Sequence, residues 1–211
     1  MLYGIDTSIL YFFNVTLNCA ALDYFMRAVT LLGVSFFALP LGLVLLFMPK
    51  RRYRIAGLVL LAAFAAGQLV SIGLKDLFAR PRPPLALDWV RGYDVPKSFS
   101  FPSGHSINAF LMAFVLAWSF RKLRWAFYTA AALVGLSRLY LGAHYPSDVL
   151  CGAALGLAVG WAVVWAATRA LGFDRPKIVH HGKPRYNRSR RNSQRYSKPV
   201  PSGGQPRQGN G

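Results

Sequence analysis

The sequence contains no glutamate. Its seven acidic residues are all aspartates: Asp6, Asp23, Asp76, Asp88, Asp94, Asp148 and Asp174. Carboxylate-rich cages for Mg²⁺ or Ca²⁺, which need several oxygen ligands, are therefore not expected. Cysteine is nearly as scarce. Cys19 and Cys151 lie in apolar stretches and read as buried free thiols, which fix no redox compartment. Residues 1–30 carry neither a basic leader nor a small-residue cleavage site, so no cleaved signal peptide is expected.

What is abundant is apolar or basic. Hydrophobic residues make up 54% of the 211, and the mean hydropathy is +0.32. That is high for a soluble domain of this length, and several runs approach or reach the roughly 20 apolar residues that cross a bilayer. An integral membrane protein follows. The net charge is +18, from 25 Lys and Arg against the seven acids.

The runs predict an all-α, polytopic membrane bundle with five spans: Leu31–Met48, Ile55–Leu74, Ser106–Phe120, Trp125–Leu139 and residues 147–171. Residues 5–30 are interrupted by Asn14, Asn18, Asp23 and Arg27. They form either a weak span or an interfacial helix followed by a short one. The chain thus divides into an N-terminal helical segment (1–30), a membrane-embedded core (31–172) and a basic tail (173–211). Gly152, Gly156 and Gly160 recur every four residues and read as a packing stripe between helices.

Basic clusters at 50–54 and 121–124 fall on the same side as the tail if five spans alternate, and the positive-inside rule makes that side cytoplasmic. The proline-rich connector 76–101 then lies outside, although it too is basic, with Arg80, Arg82, Arg91 and Lys97. Such cations are retained against the rule, which suggests another reason to keep them. The tail combines Arg and Lys with Pro, Ser, Gly, Asn and Gln, so disorder and attraction to anionic lipid headgroups are expected. Nucleic acid is not expected as a partner, because no aromatic platform or folded module accompanies the charge.

Three polar clusters converge on the outer face. They are Lys75 with Arg80 and Arg82; Pro102-Ser103-Gly104-His105; and Ser137-Arg138 with His144 and Asp148. Singly, each has a plain structural reading: snorkelling cations, a capped helix start, an interfacial turn. Together they supply cations, a helix N-terminus, two histidines and one carboxylate, an inventory that suits a tetrahedral polyanion such as phosphate. Asp148, four residues after His144, can fix one imidazole nitrogen and leave the other free to attack. His105 can protonate a departing oxygen and later activate water.

The run Lys75-x6-Arg82-Pro83, Pro102-Ser103-Gly104-His105 and Ser137-Arg138-x5-His144-x3-Asp148 resembles the type-2 phosphatidic acid phosphatase superfamily, over roughly residues 20–172. The resemblance implies a six-helix core and a metal- and cofactor-independent lipid phosphatase. It implies His144 as the nucleophile of a phosphohistidine, Asp148 as its partner and His105 as the leaving-group acid. Lys75, Arg82, Ser103, Gly104 and Arg138 would hold the phosphate. Arg80 lies outside the strict pattern and reads as a rim contact or a surface charge. Substrates in such a family include phosphatidic acid, phosphatidylglycerol phosphate, lipid A phosphates and polyprenyl diphosphates. Outward-facing chemistry in a small chain favours undecaprenyl diphosphate. Two other classes fit the residues less well: a metal hydrolase using His105, His144 and Asp148 as ligands, and a non-catalytic membrane protein whose basic tail recruits a partner.

Overall fold

Helices take up nearly every apolar stretch of the chain, as they must where lipid offers no partner for backbone N–H and C=O groups. The computed structural model describes residues 2–93 and 97–171, which all lie in one compact unit, Met1–Pro176. The basic tail expected at 173–211 lies outside the described residues. In chain order the α-helices are α1 (Leu2–Tyr11), α2 (Ala20–Thr30), α3 (Ser35–Phe47), α4 (Arg51–Phe78), α5 (Pro83–Ala86), α6 (Gly104–Ser119), α7 (Arg124–Tyr140) and α8 (Pro146–Leu171). No strand occurs among the described residues.

Five helices coincide with the five expected spans, but their lengths differ. At 1.5 Å per residue α4 is about 42 Å long and α8 about 39 Å, both more than a roughly 30 Å hydrocarbon core needs. α3, α6 and α7 have 13, 16 and 17 residues and are shorter than that thickness on their own. The N-terminal segment resolves into two helical pieces, Tyr3–Thr16 and Ala20–Gly33, bent by 118° at their junction. It is therefore a sharply broken pair rather than one straight span.

α6 is the hub, packed against α4, α7 and α8. Ile107, Leu111, Val115 and Leu116 of α6 meet Val59, Leu60, Ala63 and Phe64 of α4 in one buried cluster. Ala109 and Ala113, on another side of α6, meet Val29, Ala131 and Val134 of α2 and α7. The glycine stripe does the packing expected of it. A Cβ at Gly152 would lie 2.7 Å from the Ser103 carbonyl, and one at Gly156 only 2.5 Å from the Ile107 carbonyl. α8 can approach the backbone of α6 only because these side chains are absent. Polar glue adds to it: Gln68 donates to Asn108 (2.8 Å), and Asn108 donates to the Gly33 carbonyl (3.2 Å).

The basic clusters at 50–54 and 121–124 lie at one end, where Arg52 lies 4.8 Å over the Phe120 ring and Tyr53 stacks on it. All the motif residues gather at the other end. Cys19 and Cys151 are free thiols, as expected, but both are exposed rather than buried. Each sits on the outward side of its segment, which periodicity alone does not reveal in an apolar run.

Candidate active site

Ser103 caps α6. Its Oγ accepts from the Ser106 backbone N–H at 3.4 Å, and Gly104 and His105 form the helix's first turn. The Ser103 N–H is itself held by the Asp148 carbonyl (3.1 Å), which ties the start of α6 to the start of α8. His105 is half-buried, within electrostatic reach of Arg138, His144, Arg82 and Lys75. The three clusters that are far apart in sequence are thus brought to one place.

His144 ends the short α7–α8 loop and is almost wholly buried, with 1% of its surface exposed. Its two ring nitrogens face different groups. Nδ1 is 3.6 Å from Asp148 Oδ2, too long for a direct hydrogen bond, and 3.4 Å from Ser100 Oγ. The Ser100 hydroxyl donates to that same Oδ2 at 2.6 Å, so it stands beside both members of the pair. Nε2 faces Arg82 Nη1 at 3.2 Å. With Nδ1 turned to the acidic side and Nε2 to the cationic side, the tautomer with its proton on Nδ1 leaves the Nε2 lone pair directed at the Arg82 guanidinium. Burial lowers the His144 pKa from its ordinary value, against the pull of the Asp148 carboxylate, and Arg138 and Arg82 add to the lowering. The ring is neutral at neutral pH, the form a nucleophile requires.

Arg82 is a buried cation, 3% exposed, and its donors are held in place. Nε and Nη2 donate to the Ser98 carbonyl (2.7 Å) and hydroxyl (3.0 Å), and Nη1 donates to the Ala143 carbonyl (2.9 Å). Lys75, near the end of α4, donates to the Phe99 carbonyl. Arg138 is buried near the end of α7 and donates to Thr30 Oγ1 at 2.7 Å. Ala79 lets the chain turn from α4 toward Arg80 and Arg82 through the left-handed region, with φ of 42°. A non-glycine residue pays about 1–2 kcal/mol for that conformation.

Several contributors were not legible as site residues. Ser100, fully buried against Asp148, belongs to the loop before the Pro-Ser-Gly-His run but carries no motif. Arg80 is more than a surface charge: Nη1 donates to Asp148 Oδ1 (2.6 Å) and Ser147 Oγ (2.7 Å), and Nη2 to Asp6 Oδ2 (2.9 Å). Asp6 was detectable in principle, as a lone acid in an apolar segment.

A metal ion suits this centre poorly. Both Asp148 oxygens are engaged, Oδ1 by Arg80 and Oδ2 by Ser100 and the Tyr145 N–H. Lys75, Arg82 and Arg138 surround the histidines with positive charge, which opposes a divalent cation and favours an anion. A separate cavity of about 410 Å³, lined by Leu41, Met112, Phe127 and other apolar residues of α3, α6 and α7, offers no polar group for chemistry.

Residues 56–171 match the PAP2 superfamily. The chain is 36% identical over 153 residues to phosphatidylglycerophosphatase B of Bacillus subtilis (strain 168), covering 64% of this chain and 70% of the relative. It is 33% identical over 175 residues to a lipid A 4'-phosphatase of Bacteroides thetaiotaomicron, covering 74% of this chain and 73% of that one. Among solved structures, a transmembrane PAP2-type phosphatidylglycerolphosphate phosphatase from Bacillus subtilis superposes with a TM-score of 0.67 at 32% identity, over 80% of this chain and 87% of that one.

Proposed function

The chain belongs to the PAP2 superfamily, and from that premise we propose that it hydrolyses a lipid phosphomonoester or diphosphate at the outer membrane face through a phosphohistidine on His144. That it is an integral membrane phosphatase acting on lipid phosphates follows from its family and its relatives. The observation that carries the mechanism is the polarity of the His144 environment, with the Ser100–Asp148 pair at Nδ1 and Arg82 at Nε2.

In the first step binding of the anionic phosphate offsets the burial and the cations that otherwise keep His105 neutral, and the ring takes up a proton. His144 Nε2 then attacks phosphorus and the P–O bond to the lipid breaks, while His105 gives that proton to the departing oxygen. In the second step His105 takes a proton from water, whose oxygen attacks phosphorus and breaks the P–N bond. Inorganic phosphate leaves and His144 returns to its starting state. Arg82, Arg138, Lys75 and the Ser103-Gly104 N-terminus of α6 stabilise the charge on the phosphoryl oxygens. No step calls for a metal or cofactor.

The lipid half of the reading rests on the mouth of the site. Leu77, Phe78, Leu85 and Phe99 flank the phosphate-binding residues in sequence and expose 41–76% of their surfaces. Polar residues bind the phosphate, and these apolar ones face the bilayer from which the headgroup enters. Undecaprenyl diphosphate is the proposed substrate, on the ground of an outward-facing site in a small chain. Phosphatidylglycerol phosphate is the second reading, favoured by the Bacillus relative. The division into an N-terminal segment, a core and a cytoplasmic tail that attracts anionic lipid belongs to the same proposal.

The test is phosphate release by purified enzyme from a panel of these lipids, phosphatidic acid and lipid A, with chelator and with vanadate. The expected result is chelator-resistant, vanadate-inhibited release that His144→Ala abolishes while the variant still folds and inserts. Near wild-type turnover by that variant refutes the mechanism.

A further inference from the structure

The reacting groups are held from an unexpected direction. Asp6 belongs to α1, some 50 residues before the segment that matches the family. Asp6 is buried, and its carboxylate sits at the N-terminus of α8. Oδ1 accepts from the Ser147 N–H at 2.9 Å, and Oδ2 accepts from the Ser147 hydroxyl and from Arg80 Nη2. The other arm of the Arg80 guanidinium grips Asp148 Oδ1 at 2.6 Å. Its Cζ lies over the Tyr145 ring, 3.9 Å from the centroid, a cation–π contact that further restrains the fork.

We propose that Arg80 and Asp6 are positioning residues for the reaction: Asp6 holds Arg80, and Arg80 holds the Asp148 carboxylate in the orientation that sets the His144 ring. This rests on the reading of His144 as the nucleophile. Asp148 is fully buried, and both contacts on Oδ2 are with neutral donors, Ser100 and the Tyr145 N–H. Oδ1 has Arg80 as its charged partner, so rotation of the carboxylate is opposed mainly from that side. One guanidinium between two carboxylates also divides its charge. Asp6 draws on Arg80 and leaves Asp148 more of its negative charge for the imidazolium character that grows as His144 attacks. A surface ion pair would do none of this, but here the partners are 10%, 24% and 0% exposed in their side chains. Lysine could not replace the fork, because a single ammonium cannot reach both carboxylates with fixed geometry.

The experiment compares Asp6→Asn, Arg80→Lys and Arg80→Gln with wild type in detergent micelles, using a short-chain lipid phosphate. Thermal unfolding checks the fold, and ¹⁵N NMR of labelled histidine reads the His144 ring. Asp6→Asn and Arg80→Lys should each lower kcat about tenfold, with KM within twofold, the loss of one charge-assisted bond that acts in the transition state. Arg80→Gln should lower kcat further, and adding Asp6→Asn to it should change little more. The His144 nitrogen signals should shift in each variant, and stay in place in the exposed α1 control Ser8→Ala. Wild-type kcat with unshifted His144 signals in Asp6→Asn and Arg80→Lys overturns the proposal. So does a loss confined to KM, or an additive double variant. If wild type itself releases no phosphate from any lipid, the functional reading fails, whereas the NMR comparison still decides whether Arg80 and Asp6 set His144.

Discussion

Removing the Ser100 hydroxyl tests the proposed His144–Asp148 pair at a point that carries no motif. Ser100 Oγ donates to Asp148 Oδ2 at 2.6 Å and lies 3.4 Å from His144 Nδ1, with none of its surface exposed. Its backbone N–H donates to the Arg80 carbonyl at 2.8 Å, so Ser100→Ala keeps the main chain in place and deletes one oxygen. A hydrogen bond to a buried carboxylate is worth about 1.5–3 kcal/mol. At about 1.4 kcal/mol per factor of ten, full expression of that loss in the transition state lowers kcat about 10- to 150-fold. The Ser100 hydroxyl meets Asp148 and His144 and not Lys75, Arg82 or Arg138, so KM should stay within about twofold. The assay is steady-state phosphate release in micelles, with rapid-quench measurement of phosphoenzyme formation. A kcat within threefold of wild type, or a loss confined to KM, would show that the hydroxyl is a bystander in the loop.

Other outcomes follow from the same geometry. His105→Ala should slow turnover of a lipid phosphate by about 10²–10⁴, yet lose far less on an aryl phosphate whose leaving group needs no proton; equal losses on both substrates would remove His105 as the acid. In NMR of the free enzyme, the His144 ring should stay neutral from pH 8 down to pH 5, since its lowered pKa keeps the neutral form through the ordinary histidine range. Titration near the usual 6.5 would mean that burial does not control it. Gly156→Ala should destabilise by about 1–3 kcal/mol, because its Cβ would meet the Ile107 carbonyl, whereas Gly73→Ala, with nothing within 4 Å, should be neutral or slightly stabilising in thermal unfolding. Leu85→Cys, placed in a background with Cys19 and Cys151 replaced by serine, should label with an impermeant maleimide from outside intact cells; labelling only after permeabilisation inverts the proposed orientation.

Much of this protein is readable without coordinates. Helical runs separated by basic clusters define the bundle, because each spanning segment must satisfy its own backbone in lipid. The three motifs carry the likeness to the family, and their cations, capped helix start and His–Asp pair suit the phosphate site proposed for it. The bounds of α6 and α7 were legible to within two residues, whereas α3 starts at Ser35 rather than Leu31 and α4 runs from Arg51 to Phe78 rather than from Ile55 to Leu74: hydropathy marks where apolar residues run, not where the helical backbone begins and ends. Residues 5–30 were ambiguous for the same reason, since Asn14 and Asp23 look like interruptions until their partners are seen. Asn14 bonds to the Tyr140 and Arg91 carbonyls, and Asp23 accepts from the Tyr140 and Tyr93 hydroxyls.

Sequence alone determined the membrane bundle and the lipid-phosphatase family, and it singled out the two histidines and the phosphate character proposed for the site, since each depends on residue type and spacing along one chain. Only the tertiary structure decided how that site is held. Ser100, Arg80 and Asp6 act across 48, 68 and 141 residues of chain on Asp148 or the adjacent Ser147. A hydrogen bond depends on where two atoms meet in space, and no local pattern records a partner that far away.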